Sequence, residues 1–375
     1  MNLQKVIIWT LAITLVLGVC FVGMILVGQG EGPPTYETAL GPRPGSLPGE
    51  FKSPTGVAVD SSGNLFVLDA GNGRVQRFSP ELKILQEPWG QPGSDRGQFF
   101  NPLRLRFNAE GLLYVADTGN HRIQFFNAEG NCLGEFGSLG SEPGQFSHPV
   151  GLDFDSKGNL WVADADNHRV QKIGPAWNVL LMIPSDGSRG NLTNQFRSPR
   201  GVAVDSLDNV FVADTENHRI QRFTQDGTFL ATWGSYGKGP GQFDRPTDIL
   251  VDRDQNIYVV DSGNNRVQKF STQGLFLVEF GTAGSAGGQF MGPEQITQGP
   301  DGLIYIADAG NHRVQRYRPR TPGQFFEQDS PFMTETRPEI QQPQPEPEPA
   351  QPSPTPAAEP ELPPTPQPAE TPIDL

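Results

Sequence analysis

Short runs of alternating apolar and polar residues, separated by turns, make up most of this chain. In one region the runs are Gly201 to Asp205, Val210 to Asp214, Arg219 to Phe223 and Thr228 to Trp233. Runs rich in β-branched and aromatic residues, with Gly or Asn in the turns between them, are typical of strands. No window of this region has the period of a helix. The pattern predicts four antiparallel strands, here called a to d.

A loop motif shows how often this unit is repeated. The sequence Asp-x-x-Asn-x-Arg occurs six times between runs b and c, at steps of 48, 47, 50, 47 and 47 residues. The copies open with a Phe and a Pro three residues later, as in Gly241-Gln242-Phe243 and Pro246. Six four-stranded sheets fit a radial arrangement that protects sheet edges. We therefore predict an all-β, six-bladed β-propeller of four-stranded antiparallel blades.

The fixed residues of the motif are predicted to hold each blade together. The Asp ends strand b and the Arg opens strand c, so a carboxylate and a guanidinium meet, while Asn tolerates the backbone of the turn. Repetition in every copy favours scaffolding over catalysis. The predicted structural residues are Asp69, Asn72, Arg74, Asp117, Asn120, Arg122, Asp164, Asn167, Arg169, Asp214, Asn217, Arg219, Asp261, Asn264, Arg266, Asp308, Asn311 and Arg313.

Four copies of the motif read Asn-His-Arg followed by Ile or Val. They are Asn120-His121-Arg122, Asn167-His168-Arg169, Asn217-His218-Arg219 and Asn311-His312-Arg313. Gly73 and Asn265 replace the His in the other two, so the His is not essential to a blade. The repeat resembles the NHL family over roughly residues 35 to 320. The chain resembles the bacterial membrane-anchored NHL-repeat proteins, which implies a propeller outside the cytoplasm.

The two ends of the repeat region are predicted to share the last blade. Strand c of the sixth copy ends near Tyr317, and Pro319 soon follows, which leaves little room for another strand. Residues 35–40 resemble the outer run of other copies, so we predict that they supply strand d of the sixth blade. The alternative is Gln324 to Glu327.

The segment before the propeller is predicted to be a membrane anchor. Val6 to Val27 run for 22 positions without a charge, and a helix needs about 20 apolar residues to cross a bilayer. Lys5 precedes the segment and Glu31 follows it, which favours an amino terminus inside the cell. The predicted parts are a cytoplasmic start at 1–5, a transmembrane signal anchor at 6–27, a linker at 28–34 and an exported propeller at 35–320.

Residues 321–375 are predicted to be a disordered, proline-rich tail. They are rich in Pro and Glu and poor in aromatic residues, a composition that cannot bury enough apolar surface to fold. The net charge of the chain is −14. Binding to phosphate backbones depends on clustered Lys and Arg, so we expect no nucleic-acid partner.

Residues that break the repeat are the candidates for function. Side chains alternate along strand a, so the second and fourth residues after its Pro are predicted to face the central channel. Most of these channel-facing residues are small, but some are charged or polar. Charged residues near the channel mouth are predicted to lie close to the polar ones. The predicted ligand-binding residues are Arg104, Arg106, His148, Asp153, Arg200, Asp248, Glu294 and Gln295.

Two interpretations of these residues remain open. Arg106 and Asp153 can simply neutralise each other on adjacent blades. Alternatively, Arg104 and Asp248 fix a small anionic or zwitterionic ligand, or a peptide end, at one mouth of the channel. Arg104→Ala separates the two interpretations in binding screens.

The predicted function is a non-enzymatic binding, sensor or scaffold module for a protein, peptide or small ligand. The alternative, suggested by similar propellers, is a metal-dependent lyase or hydrolase of the amidating-lyase or lactonase type. Among the predicted site residues only His148, Asp153, Asp248 and Glu294 could serve such a metal. We predict no metal and no other cofactor, because the four motif His residues stand on different blades and no Cys-x-x-Cys pair occurs.

Overall fold

The computed structural model describes residues 32–41 and 43–320. The predicted anchor, the predicted tail and the alternative closing strand lie outside these residues. Within the described part of the chain, no helix has both the length and the hydropathy needed to cross a membrane.

The first strand of the described residues, β1 (Thr35–Leu40), is followed by five sheets in chain order. Blade 1 contains β2 (Gly56–Val59), β3 (Leu65–Asp69) and β4 (Arg74–Phe78). Blade 2 contains β5 (Arg104–Phe107), β6 (Leu113–Asp117), β7 (Arg122–Phe126) and β8 (Cys132–Phe136). Blade 3 contains β9 (Pro149–Phe154), β10 (Leu160–Asp164), β11 (Arg169–Ile173) and β12 (Val179–Ile183). Blade 4 contains β13 (Pro199–Val204), β14 (Val210–Asp214), β15 (Arg219–Phe223) and β16 (Phe229–Trp233). Blade 5 contains β17 (Pro246–Val251), β18 (Ile257–Asp261), β19 (Arg266–Phe270) and β20 (Phe276–Phe280).

The sixth sheet joins both ends of the repeat region. A short parallel pair, β21 (Thr282–Ala283) and β22 (Gln289–Phe290), precedes it. The sheet contains β23 (Pro293–Gln298), β24 (Ile304–Asp308) and β25 (Arg313–Arg318), and β1 pairs antiparallel with β25 as its fourth strand. Each inner strand packs beside the next, and β23 packs beside β2, so the six-bladed ring is closed.

The first blade has three regular strands, whereas the sequence predicts four. Its outer segment meets β4 only at two isolated bridges, Phe78 with Ile84 and Val75 with Trp89. Pro88 lies between these bridges and has no N–H to donate, which explains why the segment does not form a regular strand.

The hydrophobic core lies between blades. One cluster joins Phe211 and Ile220 of blade 4 to Phe243, Ile257 and Phe270 of blade 5, and an equivalent cluster fills each of the other junctions. The Phe that opens each copy is fully or almost fully buried in the junction with the preceding blade. These residues are Phe51, Phe99, Phe146, Phe196, Phe243 and Phe290.

Candidate functional site

The motif Asp is the centre of a hydrogen-bond network in every blade. In blade 4, Asp214 is fully buried and its Oδ1 accepts the backbone N–H of Arg197 at 2.7 Å. Its Oδ2 accepts hydrogen bonds from Asn217 at 2.9 Å and from Nε of Arg219 at 2.7 Å. The terminal nitrogens of Arg219 donate to carbonyls of the loop that enters the blade. The motif therefore ties its turn to the preceding loop.

A glutamine completes this network, and the sequence analysis missed it. Gln221, two residues after the motif Arg, donates from Nε2 to Asp214 at 3.1 Å and to the carbonyl of Gln195 at 2.8 Å. Its Oε1 accepts the N–H of Asn194 at 3.3 Å. The signal was present, because Gln recurs at this position in all copies: Gln76, Gln124, Gln171, Gln221, Gln268 and Gln315.

The motif His joins neighbouring blades. His218 has a left-handed backbone, with φ of 54°, and its Nδ1 accepts the N–H of Arg245 on the next blade at 3.1 Å. An Nδ1 that accepts this bond assigns the ring proton to Nε2. Asn265 fills the same role with its side-chain oxygen, at 2.8 Å from the N–H of Gly292. Gly73 supplies only the backbone conformation, with φ of 63°.

Removing one motif Arg should weaken the fold measurably. Arg219→Ala leaves Asp214 buried without its cation, and we expect the free energy of unfolding to fall by about 2 to 3 kcal/mol in urea titrations. Arg189→Ala on the same blade is the matched control. Its exposed pair with Glu216, at 3.6 Å, should contribute less than about 1 kcal/mol. Equal losses in both variants would contradict the structural role of the motif.

Arg104 crosses the channel from blade 2. Its side chain is 1% exposed, and its terminal nitrogens donate to the carbonyl of Thr247 at 3.0 Å and to Glu294 at 3.4 Å. Nε lies 3.6 Å from Oδ1 of Asp248. Blade 5 and blade 6 are therefore both bonded to one arginine. Arg104 and Asp248 are buried against each other, and the ligand role predicted for this pair stays a prediction.

Gln295 also crosslinks inner strands at this level of the channel, and the residues Arg104, Asp248, Glu294 and Gln295 are here called the Arg104 layer. From blade 6, its Oε1 accepts the N–H of Val57 on blade 1 at 3.0 Å and that of Leu105 on blade 2 at 3.2 Å. Its Nε2 donates to the carbonyl of Leu105 at 2.9 Å. Asp248 in turn accepts the N–H of Ile296 at 3.0 Å. The polar residues at this level hold inner strands to one another.

A cavity of about 480 Å³ lies next to this layer, where inner strands run into their a-to-b hairpins. Arg106 and Asp153 line it and form an ion pair of 2.7 Å between Arg106 Nε and Asp153 Oδ1. Asp153 also accepts the N–H of Val204 on blade 4 at 2.8 Å. The hairpins and the motif loops alternate along an up-and-down sheet, so the cavity opens on the face opposite the motif loops.

All six repeats match a known family. The NHL repeat family model matches residues 51–78, 99–126, 146–173, 196–223, 243–270 and 290–317. The chain belongs to the NHL-repeat family. A search of curated protein sequences finds no match for it.

Solved structures share the ring of this NHL propeller at low sequence identity. A protein of unknown function from Bacteroides thetaiotaomicron has a TM-score of 0.59 at 18% identity, over 78% of this chain and 75% of that one. A putative gluconolactonase has a TM-score of 0.57 at 14% identity, over 77% and 94%. A streptogramin B lyase has a TM-score of 0.52 at 14% identity, over 76% and 98%. At these identities the likeness establishes the fold alone.

The other predicted site residues of the NHL propeller fall into two places. Arg200 joins the Arg104 layer, because its guanidinium lies 3.3 Å from the carboxylate of Glu294. His148 does not join that layer through any hydrogen bond or ion pair among the described residues. Its Nδ1 lies 2.7 Å from Asp166 and its ring is 4.6 Å from that of His121, on the motif-loop face.

The four residues that the sequence analysis weighed as metal ligands are not brought together as a set. In residues 32–41 and 43–320, no group of three or more His, Cys, Asp or Glu side chains has the arrangement of a metal site. Asp153, Asp248 and Glu294 each pair with an arginine. Their carboxylates are thus occupied by cations of the protein itself.

The Arg104 layer should give the stability of the NHL propeller a distinct pH dependence. Burial raises the pKa of Asp248 from 3.8 to about 6, although Arg104 opposes the shift. The folded protein therefore binds this proton more tightly than the unfolded chain. Protonation of Asp248 therefore stabilises the folded state. This contribution to the free energy of unfolding is fully present below about pH 4 and is lost as the pH rises through about 6.

Asp248→Asn removes that titration. We expect the free energy of unfolding of the wild type, minus that of the variant, to increase by about 2 kcal/mol between pH 7.5 and pH 4.5. Urea unfolding at the two pH values measures this difference. If the difference is the same at both, Asp248 does not titrate in this window.

Proposed function

We propose that this NHL propeller is a membrane-anchored, extracytoplasmic and non-enzymatic binding module that acts as a sensor or scaffold for a protein, peptide or small ligand. The observation that carries the proposal is that the charged side chains inside the channel are paired with other groups of the protein. Arg104, Asp248 and Glu294 bond to each other or to inner strands, so they stabilise the ring and are not free to act on a substrate. The cavity around Arg106 remains open for a ligand.

The location in the proposal rests on the sequence. Residues 6–27 are uncharged and long enough to span a bilayer, and Lys5 lies on the side expected to stay in the cytoplasm. In intact spheroplasts of a bacterial host, added protease should therefore digest a carboxyl-terminal epitope tag. A tag that is digested only after the membrane is permeabilised would contradict the proposed location.

The alternative is a metal-dependent lyase or hydrolase. It is suggested by the names of the streptogramin B lyase and the putative gluconolactonase, which share the ring. Metal analysis of the full-length chain in detergent separates the two functions. We expect no stoichiometric divalent metal, and a melting temperature that a chelator leaves unchanged. One tightly held metal ion per chain would support the alternative.

A further inference from the structure

The cavity on the hairpin face has one cation with free donors. Arg106 uses only Nε in its pair with Asp153. Its two terminal nitrogens have no hydrogen-bond partner among the described residues, and 32% of the side chain is exposed. A guanidinium offers parallel N–H donors that match a carboxylate. The free edge of Arg106 thus has donors that match one carboxylate group.

Most acidic residues of the cavity are already neutralised. Asp155 lies 2.9 Å from Nζ of Lys172, and Asp205 lies 3.6 Å from Arg222. Each of these carboxylates also accepts hydrogen bonds from the Asn at the far side of its own turn. They are structural parts of the a-to-b hairpins, and they leave little charge for a ligand.

Asp208 differs from these neighbours. Its two oxygens accept the backbone N–H of Ser156 at 2.8 Å and the Ser156 hydroxyl at 2.7 Å. No cationic side chain of the described residues pairs with it. A carboxylate has about four acceptor positions, so Asp208 can still accept hydrogen bonds from an ammonium group. The cavity therefore contains one unneutralised anion as well as one available cation.

We infer that this cavity binds a small amino carboxylate, with the ligand's carboxylate on Arg106 and its ammonium group on Asp208. The inference rests on the proposed binding function and names its ligand class. A volume of about 480 Å³ lies within the range of small-molecule sites and admits either a free amino acid or a short peptide. A ligand with two negative charges is disfavoured by the unneutralised carboxylate of Asp208, and a simple amine lacks the group that Arg106 recognises.

Calorimetric titration of the full-length chain in detergent tests this inference. The probes are glycine, β-alanine, γ-aminobutyrate and glycylglycine, with acetate and methylamine as single-charge references. We expect at least one amino carboxylate to bind more tightly than either reference. If glycylglycine binds more tightly than the single amino acids, the source of the two charges is a peptide. If a single amino acid binds more tightly than glycylglycine, the source is a free metabolite.

Two variants test the contributions of Arg106 and Asp208 separately. Arg106→Gln should weaken binding of the amino carboxylate and of acetate by about tenfold or more, because a charge-assisted bond is lost. Asp208→Asn should weaken the binding of the amino carboxylate by a similar factor and leave the binding of acetate unchanged. Asn tolerates the φ of 61° at this position, so the second variant keeps the test valid if the first does not fold.

Arg77→Gln is the matched control. Arg77 pairs with Asp60 at 3.5 Å in blade 1, and neither residue lines the cavity. This variant should bind the probes as the wild type does. Absence of binding by every amino carboxylate, or binding that neither cavity variant weakens, would overturn the inference while leaving a protein-binding role intact. Conversion of a bound probe into a new molecule would overturn the non-enzymatic function and leave the ligand class standing.

Discussion

A chain in which residues 35–40 are replaced by six Gly and Ser residues should melt roughly 10 °C below the wild type. β1 is the fourth strand of blade 6, and without it the outer edge of β25 loses its partner. The change also removes the contact of Tyr36 with Tyr317, at 5.8 Å, and the ion pairs of Glu37 with Arg316 and Arg318. Differential scanning calorimetry of the full-length chain measures the shift.

The control for this experiment is the alternative closing strand. Replacing Gln324 to Glu327 by Gly and Ser should leave the melting temperature unchanged. A reversed outcome, in which only the second replacement lowers the melting temperature, would show that the carboxyl-terminal segment closes the ring.

Arg104→Ala should produce the largest loss among single substitutions in the channel. The variant leaves Asp248 buried without its cation and removes the bond to Thr247 on the opposite side of the ring. Removing one partner of a buried ion pair costs about 3 to 5 kcal/mol. Urea titration at pH 7.5 should show a decrease of this size in the free energy of unfolding.

Two further variants test whether the loss comes from the buried charge. Arg245→Ala removes a 66% exposed side chain at the mouth and should change the free energy of unfolding by less than about 0.5 kcal/mol. The double variant Arg104→Met and Asp248→Leu should recover part of the stability, because no unpaired carboxylate remains. A double variant that is no more stable than Arg104→Ala would indicate that the bonds to blade 5 and blade 6 matter more than the charge.

Much of the fold could be predicted from the sequence because the unit is repeated. Six copies of one motif fixed the number of blades, and the likeness of residues 35–40 to outer strands indicated how blade 6 is completed. The outer segment of blade 1 was harder to predict. Its apolar residues, such as Ile84 and Leu85, resemble a strand, but Pro88 limits its pairing to isolated bridges.

The candidate site was predictable only in part. Alternation along β5 and β9 indicated that Arg106 and Asp153 are near each other, and the structure gives the 2.7 Å pair. The partners of Arg104 could not be found in this way, because Thr247 is 143 residues distant and the contact depends on the width of the ring. The motif Gln was overlooked because a polar residue in strand c fits a solvent-facing position equally well.

The pairing of β1 with β25 has a consequence for synthesis. Glu37 leaves the ribosome 281 residues before Arg318, its ion-pair partner. β1 therefore has to wait, with its hydrogen-bonding edge unsatisfied, until translation of the repeats is finished. Contacts of such long sequence separation form slowly, and nascent chains held in this state are exposed to aggregation. A chaperone that shields an unpaired strand should matter more for this chain than for a protein whose first blade is complete when it emerges.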